Sequence, residues 1–175
     1  HIPPETERQL NELRRSGCPV VFFIPHVALF ELLVASPHFR PGGSRSFGAV
    51  YRPNSNPVID AWVLDGRQQR GLKMFARGTA LIGAKGHLRR NNWLAVPFDQ
   101  NAGKSGTLSI FLGRLASLTP LPGMLAVGTK AKPIYAITER TGFFRATLRL
   151  HEMKGDGGET LTTEAHALLE SHLRS

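Results

Sequence analysis

The sequence is short of cysteine, with Cys18 the single thiol among 175 residues. One thiol closes no disulfide and is too few for a thiolate zinc site, so a reducing compartment is expected and Cys18 reads as a small apolar filler. Long apolar runs are scarce as well. The best of them, VVFFIPHVALFELLVA from residue 20 to residue 35, is shorter than the roughly 20 residues of a spanning helix and is broken by Pro25, His26 and Glu31. The opening HIPPETERQLNELRRS is polar, which excludes a signal peptide there. No G-x-S-x-G elbow occurs, which argues against an α/β-hydrolase. The stretch AVPFDQNAGKSG is not a P-loop, because Phe98 stands where the first glycine would be. No metal or cofactor is expected.

Positive charge is plentiful. Lys and Arg number 22 against 13 Asp and Glu, a net charge of +9. That balance predicts attraction to polyanions: nucleic acid, anionic lipid headgroups, phosphorylated substrates or an acidic carrier protein. The aromatics of FGAVYRP fit no RNA-recognition signature, so no nucleic-acid partner is expected. Apolar residues make up 41% and fall in blocks between Gly/Pro/Asn-rich breaks, the pattern of one globular domain over residues 1–175. The chain opens on His1 and stops inside a helical pattern, so it reads as a piece of a longer protein.

Periodicity predicts an amphipathic helix over residues 4–15, a buried strand in PVVFFIP and a helix in HVALFELLVAS, on the spacing Val27, Phe30, Leu33, Val34. The breaker loop SPHFRPGGSRS follows, then a strand in FGAVYRP. Asn54 or Asn56 can cap the helix PVIDAWVLDGRQQRG, with Pro57 in its first turn. GTALIGAKGHLRRNN reads as a helix weakened by glycine, WLAVPFD as a third strand and TLSIFLG as a fourth. PLPGMLAVGTKA and TLTTEAHALLESHL read as helices, and KPIYAITER and FFRATLRLHEM as strands. Strands alternating with helices predict an α/β fold with a mostly parallel central sheet, whose ligands gather where strands end and helices begin.

Four constellations could carry chemistry there. His26 and Glu31 sit inside an apolar run, where such residues are rare unless paired. A histidine past a strand end can take a proton from a hydroxyl near neutral pH, given a carboxylate on its other ring nitrogen. The H-x4-acid spacing is weak by itself, since His151 and Asp156 repeat it, and a hydrogen-bonded structural histidine is the alternative. Arg52, at the end of a strand in VYRPNSNP, is placed to grip a phosphate, or is an ordinary surface arginine. Asp99 and Gln100 enter a glycine-bearing loop that can edge a substrate site. Arg67, Arg70, Lys73, Arg77, Lys85, Arg89 and Arg90 form either a solvated helical face or a patch for phosphorylated sugar, anionic lipid or an acidic carrier.

Taken in order, these stretches resemble the lipid A biosynthesis acyltransferase family, the lauroyl and myristoyl transferases of Gram-negative bacteria, within the lysophospholipid-acyltransferase-like superfamily. The matching elements are the strand with His26 and Glu31, YRPNSNP (close to Y-R-P-N-D-N-P), GRQQRG, Arg77 and the Asp99–Gln100 pair. The segment IFLGRLASLTPLPGMLAVGTKAKPIYAI continues the likeness, which covers about residues 20–140. The resemblance implies a glycerolipid acyltransferase-like fold and transfer of a fatty acyl chain, from acyl carrier protein or acyl-CoA, to a hydroxyl of a lipid A precursor or related glycolipid. The place would be the membrane surface, at the cytoplasmic face of the inner membrane. It implies His26 as general base, Glu31 orienting it, direct attack without an acyl-enzyme, and Arg52, Asn54, Arg77, Asp99 and Gln100 contacting substrate. Ser55, Phe98 and Tyr135 depart from the family pattern, and its N-terminal anchor and C-terminal ending are not in this sequence. Acceptors such as a glycerophospholipid, an ornithine lipid or a mannoside, and a non-catalytic basic lipid-binding module, are the other readings.

Overall fold

Five consecutive apolar residues, Val20–Ile24, form strand β1, and all five are buried because both faces of the sheet are covered. The other strands are β2 (Phe47–Tyr51), β3 (Leu72–Ala76), β4 (Trp93–Pro97), β5 (Thr107–Phe111), β6 (Arg114–Leu118), β7 (Lys132–Gly142) and β8 (Arg145–Glu152). The helices are α1 (Pro4–Ser16), α2 (Phe30–Ala35), α3 (Pro57–Gln68), α4 (Ala80–Leu88), α5 (Leu121–Thr129) and α6 (Gly158–Arg174). This computed structural model describes residues 1–27, 29–36, 38–69, 71–143 and 145–174, and only the backbone of Leu32, Val34 and Ala35. Arg70 of the basic series, Phe144 of the last strand and the Val34 side chain of the second helix therefore lie outside the described residues.

The six-stranded sheet has the order β3-β2-β4-β1-β7-β8. β1, β2, β3, β4 and β7 run parallel, and β8 returns antiparallel to β7 at one edge. Alternation along β1 divides the core. Val21 and Phe23 join Leu94, Val96, Leu88, Leu125 and Leu169 on the side of α4, α5 and α6. Val20, Phe22 and Ile24 join Leu10, Leu13, Leu33, Phe39 and Trp93 on the side of α1 and α2. Phe22, Phe39, Phe47 and Trp93 interlock there with centroids 4.5 to 6.1 Å apart. Each such buried side chain contributes about 1.5–3 kcal/mol by leaving water, so the α/β class is held from both faces of one sheet.

The elements differ from expectation in three places. TLSIFLG is a strand, but it stays out of the central sheet and pairs with β6 in a separate hairpin. Leu112 and Gly113 both have positive φ (51° and 75°), the two-residue turn that folds β5 straight back on β6. β3 was not expected, because Lys73 interrupts its short apolar pattern. The second helix begins only at Phe30, so His26 stands in irregular chain. Asn56 is the cap of α3, accepting the N–H groups of Val58 (2.9 Å) and Ile59 (3.4 Å), with Pro57 at the first helical position.

Candidate active site

β1 and β4 are neighbours in register, with Ile24 opposite Pro97. Two residues beyond that pair the strands release His26 and Asp99 side by side. The His26 ring Nδ1 lies 2.5 Å from Asp99 Oδ1, and the His26 backbone N–H donates to Asp99 Oδ2 at 2.7 Å. Both side chains are largely shielded, 29% and 16% exposed. Burial pushes the Asp99 carboxyl up, but the hydrogen bonds from the His26 ring and backbone, with the ring's charge, outweigh it and hold the group below its ordinary value. With Nδ1–H committed to this carboxylate, Nε2 is the nitrogen left for a proton acceptor, and Gln100 Nε2 sits 3.4 Å from it. The Phe30 ring packs edge-on against the imidazole at 4.8 Å.

The expected partner of His26 was Glu31, and here the geometry corrects the sequence reading. Glu31 accepts instead from Arg67 Nη2 at 2.5 Å and is 55% exposed. The cause is local: α2 starts late, so no helical turn carries Glu31 back over the imidazole, whereas the β1–β4 register delivers Asp99 directly.

His26 opens onto a cleft over the carboxyl ends of the strands. Its apolar lining comes from Ile24, Ala49, Met74, Ala95, Pro97 and Leu121. Its polar lining comes from His26, Glu31, Tyr51, Arg52, Arg67, Arg77, Gln100 and Thr119, with the Phe30 ring beside His26. Arg52 follows β2 directly, and Arg77 is held by its backbone N–H donating to the Tyr51 carbonyl at 2.9 Å. Asn54 is not among the lining residues. Its side chain accepts the Asn56 N–H at 3.0 Å and its backbone N–H donates to Asp60 at 2.8 Å, so it builds the turn that aims Arg52. Sequence spacing marks Arg67 only as part of a basic series and does not single out Tyr51, Met74, Thr119 or Leu121. Their signal is position, each falling at or near a strand end or a helix start.

Behind the pair, His166 packs its ring 4.9 Å from Phe98 and donates through Nδ1 to the Thr162 carbonyl at 2.8 Å. The Tyr135 hydroxyl is buried with no hydrogen-bond partner among the described residues, and burial together with the Asp99 charge raises its pKa. Among the described residues no group of three or more His, Cys, Asp or Glu could hold a metal ion, and no helix is long and apolar enough to cross a membrane. The arrangement can deprotonate a hydroxyl beside an apolar trough lined by three arginines.

A family model described as bacterial lipid A biosynthesis acyltransferase matches residues 5–145, which contain every residue of this cleft. No curated protein matches the chain.

Proposed function

The chain belongs to the bacterial lipid A biosynthesis acyltransferase family, and on that premise we propose that it moves a fatty acyl chain from acyl carrier protein to a hydroxyl of a lipid A precursor, with His26 as general base and Asp99 as its orienting carboxylate. The observation that carries the mechanism is the His26–Asp99 pair at the mouth of a half-apolar, arginine-lined cleft.

The acceptor hydroxyl gives its proton to His26 Nε2 as its oxygen attacks the thioester carbonyl. The tetrahedral intermediate expels the carrier thiolate, which takes the proton back from the imidazolium, and an ester remains. Asp99 stays ionised throughout and stabilises the transient positive charge on the ring. Arg52, Arg67 and Arg77 bind acceptor phosphates, with Glu31 fixing the Arg67 fork. Ile24, Ala49, Met74 and Ala95 receive the acyl chain. The net charge of +9 attracts the acidic carrier, and the work is done at the cytoplasmic face of the inner membrane.

The test is a transfer assay with labelled acyl carrier protein and a lipid A precursor in detergent, comparing wild type with His26→Ala. Removing a general base should lower the rate by about 10²–10⁴. Undiminished transfer by His26→Ala would sink the mechanism. Transfer only from acyl-CoA, or only to a glycerophospholipid or mannoside, would overturn the donor or the acceptor named here.

A further inference from the structure

Among the described residues, most of the large hydrophobic side chains left in water lie at one end of the molecule; Met124 and Val127, along α5, are the exceptions. α3 and α4 both leave the carboxyl ends of parallel strands, and their first two turns expose Val58, Trp62 and Ile82 at 76%, 77% and 86%. α3 buries none of its residues. The β5–β6 hairpin rises between the end of β4 and the start of α5, that is, from the rim that supplies Gln100, Thr119 and Leu121 to the cleft. Its register sets Ile110 opposite Leu115, with Leu108 two residues along on the same face, while Phe111 and Leu118 turn inward. Leu108, Ile110 and Leu115 are 67%, 64% and 67% exposed.

Unpaired charge at this end is mostly positive; Asp60, in the first turn of α3, is an acid there that has no ion pair with a described residue and accepts only the Asn54 N–H. Arg52, Lys104, Arg114 and Arg145 are exposed there and make no ion pair with a described residue. The acids Glu31, Glu139 and Glu170 are each held by an arginine. Separate apolar knuckles with an exposed tryptophan and free cations between them match a lipid interface: indole at headgroup depth, aliphatic tips below it, cations on phosphates.

We infer that this carboxyl end is a docking face for a bilayer leaflet bearing anionic lipid, with Trp62 and the β5–β6 hairpin entering it on either side of the cleft mouth. The inference rests on the reading of the acceptor as a membrane lipid, and it adds the orientation: the cleft opens straight onto the leaflet that stores its substrate.

The two tryptophans make the test. Trp62 is exposed and Trp93 is fully buried, so an emission change on adding lipid reports Trp62. Vesicles containing phosphatidylglycerol should shift the emission to the blue and, when brominated, quench it; pure phosphatidylcholine vesicles should do far less. Trp62→Phe should abolish the shift. Ile110→Asp with Leu115→Asp should weaken flotation with anionic vesicles at least tenfold, while transfer to detergent-dissolved acceptor is retained. Absent flotation, equal binding to both vesicle types, or flotation with no response from Trp62 would each overturn the inference. Vesicle binding in a protein with no acyl transfer would uphold the docking face and sink the proposed function instead.

Discussion

Glu31 lines the cleft and Asp99 stands behind it on His26, and substitution separates the two carboxylates. Asp99→Asn leaves the imidazole without its anion and should lower kcat by about 10²–10⁴. Glu31→Gln frees Arg67, so it should raise the acceptor KM and change kcat little; steady-state kinetics on both variants checks the split. His87 and His166 set the acid limit of stability. Burial lowers both pKa values below the ordinary 6.5. As pH falls through about 6.5, the unfolded chain takes up protons that the folded chain refuses, so stability drops, and it drops again below about 4 as Asp99, depressed in the fold, loses its charge. Thermal melts from pH 8 to pH 5 should show Tm falling on acidification, and a flat Tm would refute this assignment. At this scale the sequence showed His26 but not its partner. A spacing pattern sees only near neighbours, and Asp99 reaches His26 from 73 residues away through strand register.

Among the elements, α5 and α6 cross in close contact. A Cβ on Gly123 would stand 2.2 Å from the Gly158 carbonyl oxygen. Gly123→Ala must therefore push the helices apart, at about 1–3 kcal/mol or more. At Gly86, in α4, an added methyl group would meet nothing within 4 Å, so Gly86→Ala should stabilise by about 0.4–1 kcal/mol. Denaturant titration of the two variants should move in opposite directions. The apolar strands β1 and β4 and the capped helix α3 were readable because their signals are local. β3 was hidden by Lys73, and the partner of β5 was hidden because alternation marks a strand without saying which strand it will pair with.

For the whole molecule, the net charge of +9 acts on encounter. On the proposed acyl carrier protein donor, KM should rise between about 50 and 500 mM salt as screening shortens the Debye length, with kcat nearly constant. A KM indifferent to salt would remove the electrostatic argument for an acidic donor. The α/β class was legible from alternating elements, but the strand order was not, because it depends on contacts between distant segments.

That order has a consequence for synthesis. β1 is made long before its partners, yet it sits inside the sheet, with Val20 opposite Trp93 on one side and Lys132 on the other. At about 5–20 residues per second, its two hydrogen-bonding edges wait on the order of 4–20 s for partners. For that interval five residues that the fold buries completely have no sheet to place them in. Slow codons placed before β4 would lengthen that exposure rather than relieve it.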